Sequence, residues 1–184
     1  MNAPLIIRGA LCPKTTTSIM KLSDLNGHLP EFRKELIMSE KNINQEQSNK
    51  HEISRHASLA FLPCLFGKYY VEAESRIYNR LGQFCKEYHG ANWLFFKVGT
   101  TSGFIMPDIS EELYIEISSN YFQRKVSPEA AGVIVTLYEL NHLCWAAQAK
   151  GEQRLCAGFI KAIDELKDYA ETLHESSLIF AAID

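Results

Sequence analysis

The chain has 184 residues, enough for one domain with a sizeable core and a tail besides. Its formal net charge is −3 and its pI is about 6.1. That balance argues against a dedicated nucleic-acid binder, which is usually basic, and against a whole-surface mimic of DNA, which needs a very large negative charge.

In chain order, residues 1–38 mix Pro, Gly and Thr with little periodicity. The opening "MNAPLIIRGALC" is briefly apolar, but Arg8 interrupts it, which makes a poor signal peptide. No apolar run reaches the roughly 18 residues of a membrane span, so a cytoplasmic protein is expected. Met38 is a possible alternative start of translation. Residues 39–58, "SEKNINQEQSNKHEISRHAS", lack the apolar side chains that offset the entropy of ordering. Residues 1–58 therefore read as a poorly ordered extension and linker, and residues 59–184 as the folded domain.

From Phe61 the pattern changes. Tyr70, Ala73, Ile77, Leu81, Phe84 and Tyr88 recur at steps of three and four, one face of a helix expected to end near Gly90. Four short β-rich runs follow: "WLFFKV", "GFIMP", "LYIEIS" and "YFQRKV". "GTTSG", "DISEE" and "SSN" separate them, and connections this short favour antiparallel pairing. Two helical patterns, 128–149 and 152–174, precede a short apolar tail, "SSLIFAAID". The order predicts an α+β fold: an antiparallel four-stranded meander sheet with helices packed on one face.

The stretch "SPEAAGVIVTLYELNHLCW" begins with helix-start chemistry, with Ser127 as N-cap, Pro128 at the first position and Glu129 at the positive end of the dipole. On a helical wheel Val133, Leu137, Leu140, Cys144 and Ala147 form one apolar stripe, and Glu139 and His142 fall roughly 120–180° away. Cys144 and His142 thus diverge and make no nucleophilic pair. Glu139-x-x-His142 and the second copy, Glu171-x-x-His174, have a spacing used by metal-binding helices. Both lean outward on the wheel, so solvated polar faces are the expectation and no catalytic, cofactor or metal residue is assigned. "GTTSG" lies between strands and reads as a hairpin turn, not a phosphate loop.

The five cysteines, Cys12, Cys64, Cys85, Cys144 and Cys156, include no Cys-x-x-Cys pair and read as reduced thiols. Tyr69, Tyr70, Trp93, Phe95 and Phe96 have no basic cluster beside them, as a single-strand groove would need, and read as core. Charge is uneven: residues 1–59 carry +2 and residues 60–184 carry −5. Asp164, Asp168, Glu171 and Glu175 recur at steps of four, three and four, an acidic ridge opposite an apolar stripe. Such a ridge is either a wet surface or a partner-facing one. We take it as the candidate partner-binding site.

From "FLPCLFGKYY" onward the chain resembles the ArdB/KlcA family of antirestriction proteins. Phe66-Gly67, Trp93 in "GANWLFF", and Gly103, Phe104 and Pro107 in "SGFIMP" carry the resemblance. So do Ser127, Ala130, Ala131, Gly132, Thr136, Leu137, Leu140, Asn141 and Leu143, with the ending Ala182-Ile183-Asp184. The likeness implies an accessory protein of plasmids and other mobile elements that protects incoming DNA by inhibiting host type I restriction-modification enzymes. It implies a non-enzymatic action on the restriction enzyme complex, direct or indirect, with no cofactor, small-molecule substrate or membrane. Two other readings stay open: a metal-dependent enzyme using the outward Glu-x-x-His motifs, and a DNA-binding accessory factor.

Overall fold

The computed structural model describes residues 50–184; the expected extension up to residue 49, with Met38, lies outside the described residues. The first element, β1 (Lys50–Ile53), arises within the stretch expected to be a linker. It pairs antiparallel with β2 (Trp93–Val98), Lys50 opposite Val98 and Ile53 opposite Phe95. The Lys50 ammonium meets Glu129 at 2.5 Å and lies over the Phe96 ring. Distant partners supply what the local composition lacks.

Helix α1 (Arg55–Phe66) opens at Ser54, whose side chain accepts the Ala57 N–H. A 3₁₀ turn (Gly67–Tyr69) leads into α2 (Tyr70–Phe84). Helix α2 buries Ala73, Ile77 and Leu81, the stripe expected from spacing, but stops at Phe84, short of Gly90. Trp93 packs against Tyr78 and Tyr88, and Phe96 stacks on Phe104. Tyr70 departs from the core reading and is exposed.

The single four-stranded meander is not what forms. One sheet has the order β1-β2-β3, with β3 spanning Ser102–Pro107; β4 (Leu113–Ile117) and β5 (Phe122–Val126) make a separate two-stranded sheet. All pairs are antiparallel, and the α+β class holds. The break has a physical cause. Helix α3 (Pro128–Ala149) lies directly on β3, and its Thr136 hydroxyl accepts the buried Ile105 N–H at 3.4 Å. A fourth strand beside β3 would need that group. Gly132 permits the approach: a Cβ there would sit 2.6 Å from the Ile105 carbonyl oxygen and 2.5 Å from Met106 Cβ.

Helix α3 is the centre of the fold. Every residue from Ala130 to Leu137 is buried, as are Leu140 and Leu143. Its neighbours include β3, α2, α4 (Gln153–Glu171) and α5 (Ser176–Ile183). A helix covered on several sides has no single apolar stripe, so the wheel assigned Glu139 wrongly: its side chain is fully buried. His142 is exposed, as expected. The apolar tail is α5, which buries Ile179 and Ala182. The Tyr138 hydroxyl of α3 donates to the Ala182 carbonyl and pins it.

Candidate partner-binding surface

Helix α4 presents two faces. Cys156, Phe159, Ala162, Leu166, Tyr169 and Ala170 are buried against the core. On the other side Asp164, Asp168 and Glu171 are exposed, at positions i, i+4 and i+7 of one helix, with exposed Ile160 one turn before them. Neighbouring carboxylates at this spacing lie roughly 5–6 Å apart at their Cβ atoms and repel by a few tenths of a kcal/mol per pair. Among the described residues none of the three forms an ion pair.

The fourth expected member is placed differently. The pattern was expected to run to residue 174, but α4 ends at Glu171 and Thr172 caps it. Glu175 stands at the start of α5, half-buried, and its carboxylate accepts the Ser127 N–H at 3.0 and 3.2 Å. It holds the entry to α3 and does not continue the exposed line. The second Glu-x-x-His likewise spans the helix end, with Glu171 on α4 and His174 beyond it.

One acid that the sequence reading passed over fixes α4 in place. Glu165 reaches the β2–β3 turn and accepts the N–H groups of Thr100, Thr101 and Ser102 at 3.0, 2.7 and 3.0 Å, and the Thr100 hydroxyl at 2.7 Å. Burial alone would raise its pKa; the amides and hydroxyl overcome that and hold the carboxyl down to about 2. Gly99, at φ +57°, is what fits beneath it: a Cβ there would lie 2.7 Å from Glu165 Oε2. Ser102 completes the clasp by donating from Oγ to the Ala162 carbonyl at 2.6 Å. Several amides in one turn form an anion-binding concavity. "GTTSG" is such a turn, and the chain's own Glu165 occupies it.

A second internal charge cluster joins α2 to α3. Arg76 donates to Glu139 Oε1 at 3.3 Å, and Arg80 lies 3.7 Å from Oε2. Burial pushes the Glu139 carboxyl up despite these cations. Burial and both guanidinium groups push the His142 pKa down from its ordinary value. Glu139 and His142 thus differ in exposure, one buried and one exposed, although Arg76 and Arg80 lie near both. The sequence cue was Arg76 and Arg80 one turn apart, facing an acid in the middle of an apolar helix.

The model of the family described as antirestriction protein matches residues 86–184. The chain belongs to the antirestriction protein family. It is 33% identical over 127 residues to the antirestriction protein KlcA of Escherichia coli, covering 68% of this chain and 87% of that protein. It is 32% identical over 126 residues to the putative antirestriction protein YubI of Escherichia coli (strain K12), covering 68% and 89%. A solved structure aligns with a TM-score of 0.66 at 28% identity over 73% of this chain and 94% of that one. It is described as showing that the KlcA and ArdB proteins have a novel fold and antirestriction activity against Type I DNA restriction systems in vivo but not in vitro.

The antirestriction motif along α3 is mostly architecture. Ser127 caps the helix, Gly132 and Thr136 dock it on β3, and Ala130, Ala131, Leu137, Leu140 and Leu143 are core. Asn141 is the exposed member. It borders a cavity of about 130 Å³ between α3, α4 and α5, with Leu137, Tyr138, Ile163, Lys167 and Ile183.

Proposed function

We propose that this chain protects incoming DNA by inhibiting a host type I restriction enzyme complex, as a non-enzymatic, protein-binding factor acting in the cytoplasm without a cofactor. The observation that carries this reading is the likeness to the KlcA and ArdB structure across nearly all of that fold, together with the activity described for those proteins. The contact surface is the outer face of α4, where Asp164, Asp168 and Glu171 stand exposed and unpaired among the described residues. Glu175, tied to Ser127, closes the end of that surface and contributes chiefly through the position of α5. An acidic face of this kind suits a basic protein surface and repels a phosphate backbone, which speaks against direct DNA binding. The direct test is plating efficiency of unmodified phage on hosts with and without a type I system while the chain is expressed. Protection confined to the restricting host supports the reading; equal plating with and without the chain on that host overturns it.

A further inference from the structure

Two of the cysteines read as reduced thiols meet. Cys144 of α3 and Cys156 of α4 have their sulfur atoms 3.1 Å apart, and Cys144 Sγ also points at the Cys156 carbonyl at 3.8 Å. They face each other across the helix hairpin, whose turn is held by Glu152 N–H donating to Ala147 O at 2.9 Å and Gly151 N–H to Gln148 O at 3.0 Å. That turn sets the register of the two helices. A disulfide bond is about 2.0 Å, so closure asks the sulfurs to move by roughly 1 Å. The two thiols are unequal in access: Cys144 is half-buried and Cys156 is buried.

We propose that Cys144 and Cys156 are a dithiol modification site that low-molecular-weight disulfides oxidise to an internal cross-link between α3 and α4. The accessible Cys144, as thiolate, attacks one sulfur of the small disulfide. A mixed disulfide forms, and the other half leaves as a thiolate that takes up a proton. Cys156, on losing its proton, attacks the Cys144 sulfur and expels the second half as a thiol. The protein gives up two protons and two electrons, and the small disulfide becomes two thiols. Burial and the hydrogen bond with Cys156 push the Cys144 pKa up to about 11. The thiolate is therefore scarce at neutral pH, which makes the first attack slow and faster as pH rises. Cys64 is exposed and Cys85 buried; no hydrogen bond or sulfur contact links either to another thiol among the described residues.

The test treats the folded full chain with oxidised glutathione, quenches with acid, and maps the products by mass spectrometry. The expected product is a peptide pair joined through Cys144 and Cys156, with loss of two free thiols, reversal by dithiothreitol and a higher Tm. Cys156→Ser should trap a stable glutathione adduct on Cys144, and Cys144→Ser should leave Cys156 unmodified. Three results would overturn the proposal. One is a parent protein with glutathione retained on Cys144 beside a free Cys156. Another is both thiols unreacted while Cys64 is fully modified. The third is a cross-link that appears only after the chain is unfolded in denaturant.

Discussion

Glu165 and Thr101, 64 residues apart in sequence, meet through a carboxylate and a backbone N–H at 2.7 Å. This contact ties the helix that carries the acidic face to the β2–β3 hairpin. Because the Glu165 carboxyl is held at about 2, below its ordinary value near 4.5, its contribution is a depressed-acid one. Such stability is fully present above the unfolded pKa and is lost as pH falls through the folded one. Glu165→Gln should cost about 2 kcal/mol near neutral pH, the scale of charged hydrogen bonds. The difference from the parent should shrink as pH drops from about 4.5 towards 2. Urea denaturation at several pH values measures it; a pH-independent difference would refute the assignment.

The buried Glu139 leads to a different expectation. Removing one partner of a buried ion pair strands the other charge. Arg76→Met should destabilise by about 3 kcal/mol, the low end for such losses, because Arg76 is partly exposed and Arg80 stays nearby. Adding Glu139→Gln to that variant should restore part of the loss, since the fully buried carboxylate is gone while the mostly buried Arg80 then lacks its counter-ion. Equal stabilities of the single and double variants would show that the packing of Arg76, not its charge, matters.

Contrasting positions along α3 test how it is seated. Gly132→Ala forces a methyl group against the β3 backbone and should be severely destabilising. Leu137→Ala should cost roughly 2 to 5 kcal/mol. His142→Ala, on the exposed turn, should fall within about 0.5 kcal/mol. Thermal unfolding of the three variants ranks them directly.

The acidic face is tested by replacing Asp164 and Asp168 with Asn and Glu171 with Gln together. Protection against type I restriction should be lost, with unchanged circular dichroism and slightly higher stability from relief of like-charge contacts. The control replaces Glu87, Glu111 and Glu112, which are also exposed. Full protection by the α4 variant would move the contact to another face. Equal failure of both would point to total charge.

Elements with one buried face were legible in the sequence. Helices α2 and α4 announce themselves at steps of three and four, and the β2–β3 hairpin by its turn residues. Asp164, Asp168 and Glu171 came from the same periodicity. What escaped depends on partners far along the chain. Thr136 blocks the sheet edge through Ile105, 31 positions away, and Arg76 meets Glu139 across 63. Glu175 was read into the ridge because spacing alone does not show that the helix stops at Glu171.

Strand β1 is only four residues long, yet it occupies the side of β2 that β3 does not. A chain shortened at residue 58 would keep every strand of the hairpins but bare a row of N–H and C=O groups along β2. Uncovered strand edges of this kind recruit one another. Such a fragment should self-associate in proportion to its concentration, whereas one beginning at Lys50 should remain dispersed, a contrast that light scattering reads. Four residues that look like spacer thus act as a selvedge, finishing a sheet that would otherwise unravel into intermolecular pairing.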